Sequence, residues 1–555
     1  NWTDIFTYNR FYDFGEDFHP HHNVNVAQAL KMPAIYYQQS KDVTDRNAMQ
    51  KGMDNLLRER GRVDGMFAGE EFLDHSFSTN GIELCGVVEQ MLSDEVALKI
   101  LGDAALGDHL EKIAYNALPA HLTKNYKQHC YYQYPNQIIS KTGKGHPTFT
   151  QDYENAIVPS PYSGFPCCRF NWHMGWPYLV KHMWMATNDN GLVATAYGPT
   201  TITAKVANNV PVTIREETNY PFDETIRLTI HTPQPVSFPL KLRIPAWCQT
   251  PSISIGGKKL TGIVSGSFYT INRKWKNKEV VEISFPAEIK TTTWAANSVG
   301  IERGPLVYSL QIKEDWKLKK ANLNGFDEFE VLPASAWNYG LLLDRKAAKN
   351  SLKVTKGSIS AQPFETTPIW ITAQARKIPS WDLVPNGLYA QEPPASPVAS
   401  NEPIETVTLI PYGVHHLRVS NFPVIGEGAV YEAEKAFVNH ADGSRTSDFA
   451  SARGYVGGID FEDSYVEFRN VNVPAAGLYT LAISYANGMR KEGYHQLVVN
   501  GEQPVTIQYP TTSGWGLFQI LTKQIILKAG NNILRLSKGD SPAELDFISI
   551  EKSKE

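Results

Sequence analysis

The spacing of apolar residues in this 555-residue chain changes character at Asn188-Asp189-Asn190-Gly191. Before that point apolar side chains recur every three or four residues, as on one face of a helix, and after it they alternate, as on a half-buried strand. One chain therefore carries a helical part followed by all-β parts, and its length suggests three to four domains. The stretch from His22 to about Gln39 reads as a helix kinked at Pro33, and Thr44 reads as the cap of the next. In that next helix Met49, Met53, Leu56, Leu57 and Arg60 share a face up to Gly61. Leu84, Val87, Val88, Met91 and Leu92 repeat the pattern, Ser93-Asp94 reads as a fresh start signal, and Gly102-Asp103 as a stop. Asp108 opens a further helix to Pro119, and a last one runs from about Trp176 to Asp189. Helices of this length joined by tight turns stack as antiparallel hairpins.

Beyond Gly191, Val212 and Ile214, Ile226 to Ile230, Leu240 to Ile244, and Ile253 and Ile255 before a Gly256-Gly257 turn form the strands of a β-sandwich. A second all-β region follows Arg303 to Leu310 and is interrupted by the proline-rich VPNGLYAQEPPASPVASNEP, which cannot be regular structure. Gly426-Glu427-Gly428 reads as a linker to a last run of short strands from Tyr431 to Ile550.

The formal net charge of -4 gives no sign of a polyanion partner or an anionic membrane surface, so nucleic acid is not expected as a partner. No run of eighteen apolar residues exists, so no membrane span is expected. Aromatic residues make up 11% of the chain, which suits carbohydrate handling because flat rings stack on sugar faces. The chain begins at Asn1 without an apolar leader, and Asn1-Trp2-Thr3 matches a glycosylation sequon.

Chemistry concentrates in two short segments, DGMFAGEEFLDHSFSTNGIELC (64–85) and GFPCCRFN (164–171). Three of only five cysteines lie there, too few and too odd a number for a disulfide framework. Within a regular helix Glu83 and Cys85 would point roughly 200° apart, so both can face one ion only where the helix begins. Adjacent Cys167 and Cys168 need a non-regular backbone to converge, which Gly164 and Pro166 suit. One carboxylate and three thiolates match the tetrahedral preference of Zn2+, whereas buried cysteines more generally serve as small hydrophobes, the reading given to Cys130 and Cys248. Four protein ligands leave no open position for water, but a metal-held thiolate beside a carboxylic acid makes a nucleophile and acid/base pair. Glu70 and Glu71 are the candidate acids, with a solvated surface turn as the alternative.

Together, DGMFAGEE...GIELCGVVEQML, HNVNVAQALKMPA, the Cys-Cys pair with Asn171 and GWP, ETNYPFDE...LKLRIPAWC and RGPLVY resemble glycoside hydrolase family 127, the β-L-arabinofuranosidases, over about Phe11 to Val424. The resemblance implies an (α/α) helical toroid followed by two β-sandwich domains, and a retaining mechanism with a zinc-bound cysteine nucleophile. It implies zinc ligands at Glu83, Cys85, Cys167 and Cys168, Cys167 as nucleophile, Glu71 preferred over Glu70 as acid/base, and His22 as a sugar contact. Arg169 departs from the family pattern and suggests an acidic sugar. The helices ahead of HNVNVAQ are fewer than the family carries, so an N-terminally incomplete toroid is expected.

YEAE at Tyr431, GYVGGID, SYVEF, YANG and LDFISI are similar to carbohydrate-binding modules of families 6 and 35. That resemblance implies a β-jelly roll with calcium held by Glu432, Glu434 and Asp546, and a sugar cleft with Trp515, Tyr455 and Asn487. The expected layout is a toroid part over 1–190, sandwiches over 191–312 and 313–425, and the module over 426–555. The expected protein is a secreted or periplasmic exo-glycosidase releasing terminal β-L-arabinofuranose from plant or microbial glycans. A different, acidic terminal sugar of pectin, or a non-catalytic glycan-binding protein with structural zinc, are the alternatives.

Overall fold

A computed structural model of the chain describes residues 19–553, apart from 74–76, 147–152, 208, 346, 427–428, 448, 452–453, 490 and 513. The Asn1 sequon and most of the Gly426 linker lie outside the described residues. The fold is multidomain: a helical N-terminal domain, β-sandwich architecture, and a C-terminal jelly roll.

Helices α1 (Asn23–Ala29) and α2 (Met32–Ser40) replace the single kinked helix read from the sequence. The chain breaks before α2, and Pro33 sits in its first turn, where a missing N–H leaves no bond unmade. Helix α3 (Val43–Arg60) is capped by Asp42, whose carboxylate accepts from Thr44 N at 2.8 Å, so the cap lies two residues before Thr44. Helix α4 (Leu84–Leu101) is continuous through Ser93-Asp94, contrary to the restart expected there. Those two polar residues are buried and used: Ser93 Oγ donates to Ala27 O, and Asp94 accepts from Gln90 and pairs with His109 at 2.7 Å. Buried on nearly every face and ended by Gly102 at φ 67°, α4 is the central helix, contacted by α1 and α2. Helix α5 (Ala104–Lys112) also packs on it, capped by Asp103 and so starting ahead of Asp108; it continues as a π-helical turn, Ile113–Ala117. Helix α6 (Cys167–Asn171) and α7 (Gly175–His182) complete the domain, and α7 ends early because Trp184–Ala186 is already a strand.

That strand belongs to the first sandwich, whose sheet therefore starts before residue 191. Its four-stranded sheet runs in the order 267–275, 236–244, 192–194, 184–186, and its six-stranded sheet in the order 258–259, 252–255, 279–284, 225–231, 210–218, 200–206. Gly256 and Gly257, at φ 56° and 79°, make the tight turn that pairs Ile255 with Lys258. The second β domain is built on a seven-stranded sheet that begins at Ile289, earlier than the expected boundary at 313, because Ile289–Trp294 pairs with Ser298–Arg303. The proline-rich segment is free of named strands, as its composition requires. In the module, a five-stranded sheet and a sheet centred on 544–552 enclose a separate apolar core that includes Val456, Leu481, Ile483, Leu536 and Ile548.

The domains are locked together near the helical domain's core. Asn116, buried in the π-helical turn, donates to Pro305 O and accepts from Val307 N of the second β domain, at 2.7 and 2.8 Å. The module touches the helical domain where Phe77 stacks on Phe449, ring centroids 4.5 Å apart.

Candidate functional site

Glu83 ends a short strand, Ile82–Glu83, that pairs with Tyr132–Gln133, and it is also the extended residue from which α4 starts. Cys85 follows in the first turn, which is the only helical position from which it can share a focus with Glu83. The preceding loop is held by Asn23, whose buried amide donates to Gly69 O at 2.6 Å and Glu70 O at 2.8 Å, while its backbone N donates to Glu71 O at 3.0 Å. Gly86 leaves room for that amide, since a Cβ there would lie 2.1 Å from Asn23 Oδ1.

Cys167 and Cys168 open α6 instead of occupying an irregular turn. Their convergence with Cys85 comes from the meeting of two helix beginnings, α6 against α4. Gly164, at φ 56° and pressed on the Tyr131 ring, lets the chain enter α6 at that angle.

The four groups gather closely: one ligand atom from each of Glu83, Cys85, Cys167 and Cys168 lies within 4.8 Å of the others. Cys167 Sγ and Cys168 Sγ are 3.3 and 3.5 Å from Glu83 Oε1, and Cys85 Sγ is 3.2 Å from Cys168 Sγ. Sulfurs around a tetrahedral zinc stand about 3.8 Å apart for bonds of about 2.3 Å, so the set matches that ion in donor chemistry, and the 3.2 Å Cys85–Cys168 pair would open by about 0.6 Å to hold it. Glu83 Oε2 is buried without a hydrogen-bond partner, an acceptor left over for a cation. Burial, then the charges of Cys167 and Glu71, push the Glu83 carboxyl well above its usual range. Hydrogen bonds from Cys168 and Cys85 hold the Cys167 thiol low, while Cys85 and Cys168 are raised. Without a cation, one negative charge is all that these groups share comfortably.

Glu83, Cys85 and Cys168 are buried and Cys167 is half-buried, so it is the most exposed of the four. Around it, Glu71 Oε1 accepts from Tyr131 Oη at 2.6 Å, Tyr131 Oη is 3.5 Å from Cys167 Sγ, and Glu71 Oε2 is 3.0 Å from His22 Nε2. Tyr132 Oη adds a longer contact to Glu71 at 3.4 Å. Glu70 faces elsewhere: its Oε1 accepts from Gly81 N at 3.2 Å. The sequence reading did not select Tyr131, Tyr132 and Asn23. The two tyrosines simply follow Cys130 in the chain, and nothing local announces the strand register that sets Tyr132 opposite Glu83. Arg169 lies at the rim with its guanidinium over the rings of Tyr162 and Phe170, 4.5 and 5.9 Å away. Cys130 and Cys248 are buried, in keeping with core roles.

In the module, Asp546 accepts from Ser451 N and Ser484 Oγ, both at 2.8 Å, and Glu432 accepts from Ser451 Oγ at 2.9 Å. Glu432 Oε2 and Glu434 Oε2 are buried without partners, yet these carboxylates do not gather as tightly as the cysteine cluster. The expected sugar cleft needs correction. Asn487 is fully buried and spends its amide on Lys491 O and Tyr509 O, so it braces a loop. Tyr455 is buried in a small cluster with Ala450, Ala486 and Phe518. Trp515 is only partly buried and closes over Gly488.

Comparison with known proteins agrees with this layout. The catalytic-domain family model of the GH127 β-L-arabinofuranosidases matches residues 6–180, the middle-domain model of that family matches 191–287, and carbohydrate-binding module family 35 matches 429–552. The matched segments follow one another in the order catalytic domain, middle domain, carbohydrate-binding module, and family 35 is the matched half of the module resemblance. A GH127 β-L-arabinofuranosidase from Geobacillus stearothermophilus T6 shares the fold at TM-score 0.53 and 20% identity, covering 72% of this chain and 59% of that one. A second GH127 β-arabinofuranosidase superposes at TM-score 0.54 and 20% identity, covering 76% and 64%. Among curated proteins, a 1,6-α-glucosyltransferase of Sporosarcina globispora is 30% identical over 124 residues, 22% of this chain and 9% of that protein. The chain spans about three fifths of the length of these GH127 structures.

Proposed function

We propose that this protein is a retaining exo-glycosidase of the β-L-arabinofuranosidase type, with Cys167 as nucleophile and Glu71 as acid/base. The observation that carries the reading is the Tyr131 hydroxyl, which touches both Glu71 Oε1 and Cys167 Sγ and so brings a carboxyl group and a half-buried thiol within reach of one hydroxyl. Glu83, Cys85, Cys167 and Cys168 would hold zinc, which would supply the positive charge that keeps these thiols deprotonated. Cys167 Sγ attacks the anomeric carbon as the glycosidic C–O bond breaks, and Glu71 gives its proton to the departing oxygen. Glu71 then takes a proton from water, whose oxygen replaces the sulfur at the same carbon, and two inversions give net retention. His22 and Tyr131 hold the two oxygens of Glu71 and fix its direction toward the sulfur.

The module is read as a glycan-binding unit whose structural calcium would lie at Glu432, Glu434 and Asp546, where two buried carboxylate oxygens lack partners. A polymeric glycan substrate implies a secreted or periplasmic protein. Arg169, two residues after the nucleophile with a buried Nε that lacks a partner, supports a second substrate reading, a terminal sugar bearing a carboxylate.

The test is hydrolysis of an aryl β-L-arabinofuranoside by zinc-loaded protein beside Cys167→Ser, with the anomer released followed by NMR. Turnover with retention that vanishes in the variant is the expected result. Equal turnover by both proteins, or an inverted product, sinks the cysteine mechanism, and activity confined to a uronic-acid glycoside moves the substrate to the second reading.

A further inference from the structure

The proline-rich segment of the second β domain reaches across to the helical domain at Asn386, which donates to Gly145 O at 2.9 Å, and at Glu392. Its Oε2 accepts from Ser78 N at 3.1 Å and Ser78 Oγ at 2.7 Å, and its Oε1 accepts from Thr79 N at 2.9 Å and from the Thr79 hydroxyl. Four donors from two consecutive residues saturate one carboxylate. The foot of this clamp is itself fixed, because buried Trp381 donates its indole N–H to Gln391 O at 2.8 Å, and Gln391 N donates to Asp382 O at 2.9 Å.

From Thr79 the chain reaches Glu83 in four residues, and hydrogen bonds hold the way. Gly69 N donates to Gly81 O at 3.0 Å, Gly81 N donates to Glu70 Oε1, and Glu83 N donates to Gly69 O at 2.9 Å. On the other side of the clamp, Phe77 lies flat on Phe449 of the module. A bidentate carboxylate gripping two successive backbone N–H groups sets the direction of the chain, where an apolar contact would set only its distance.

We infer that Glu392 is a positioning residue for the catalytic centre: from the second β domain it orients the Ser78–Glu83 segment, and thereby Glu83 and the Glu70-Glu71 turn, for metal binding and acid/base work. The inference rests on the reading of Glu83, Cys85, Cys167 and Cys168 as a zinc site. The centre is then completed by a domain other than the one that supplies its ligands.

The test uses the full chain and the variants Glu392→Gln and Glu392→Asp. In Glu392→Gln one oxygen becomes an NH2 that faces two donors, so the clamp breaks without loss of volume. Zinc affinity, measured by competition with a chromophoric chelator, is expected to fall at least tenfold. The thiolate-to-metal absorption of the cobalt-loaded protein shifts, kcat falls with KM little changed, and Glu392→Asp recovers part of each. Zinc affinity and cobalt spectrum equal to wild type in Glu392→Gln would overturn the inference. Should that variant fail to fold, Ser78→Ala with Thr79→Val removes only the two hydroxyl donors, with a smaller loss of zinc affinity expected and an unchanged affinity overturning the claim. Wild type that binds zinc but leaves furanosides intact sinks the substrate reading alone, and wild type that binds no zinc at these residues overturns this inference with the metal reading it rests on.

Discussion

The Tyr131 hydroxyl donates to Glu71 Oε1 across 2.6 Å while lying 3.5 Å from Cys167 Sγ, so one phenol spans the two groups assigned to the chemistry. A hydrogen bond to a charged partner contributes about 1.5–3 kcal/mol, and about 1.4 kcal/mol is a factor of ten. Tyr131→Phe, which keeps the ring, is expected to lower kcat by roughly 10- to 100-fold with KM little changed. Steady-state kinetics decide it, and an unchanged kcat would remove Tyr131 from the site.

Glu70 and Glu71 are neighbours in sequence but serve different masters in space, the first bonded to Gly81 N and the second to His22 and Tyr131. Glu71→Gln is expected to cost roughly 10²- to 10⁴-fold in turnover of glycosides with poor leaving groups, and much less with an activated aryl leaving group that needs no proton. Glu70→Gln keeps wild-type turnover. The reverse pattern would transfer the acid/base role to Glu70.

Gly86 and Gly102 sit at the two ends of α4 and predict unlike penalties. A Cβ at Gly86 would press within 2.1 Å of Asn23 Oδ1 and dislodge the amide that satisfies the Gly69 and Glu70 carbonyls. Gly86→Ala is expected to lose about 2–4 kcal/mol from overpacking and unpaired buried carbonyls. At Gly102 a Cβ meets nothing within 4 Å, and only the positive φ of 67° opposes it, so Gly102→Ala loses about 1 kcal/mol. Urea unfolding of the helical domain measures both, and equal losses would contradict the contact geometry.

His495 lies fully buried against Tyr509 in the module with neither ring nitrogen hydrogen-bonded, and burial pushes its pKa down to about 3. The unfolded chain protonates this ring near pH 6.5, so between pH 6.5 and about 3 the unfolded state binds the extra proton. Stability from the neutral ring is complete well above pH 6.5 and is lost as the pH falls, by about 2 kcal/mol between pH 6.5 and 4.5. Calorimetry of the full chain should show the module's transition falling with acid, and His495→Leu should flatten that slope. A slope unchanged in the variant would assign the acid sensitivity to other groups.

The change of apolar period near Gly191 was legible because burial on a helix and on a strand demand different spacings. Within the helices, local signals misled wherever tertiary bonds reused them. Ser93 and Asp94 look like a helix start, but in α4 their side chains are taken by Ala27 O, Gln90 and His109. Asn487 looks like a polar residue suited to sugar binding, yet its amide is consumed by Lys491 O and Tyr509 O. In each case a polar side chain has one inventory of hydrogen bonds, and the fold decides where it goes.

The sequence by itself determined the helical and β portions and the chemistry available at the site, because periodicity and residue type are properties of the chain alone. The placement of Glu83 and Cys85 at a helix entry followed from helical geometry in the same way. Only the tertiary structure decided that Tyr131 links Glu71, and not Glu70, to Cys167, and that Glu392 reaches the same loop from 313 residues away. Adjacent residues in a loop can point in opposite directions, and partners far apart in sequence meet only once the domains have packed, so no local pattern can carry that information.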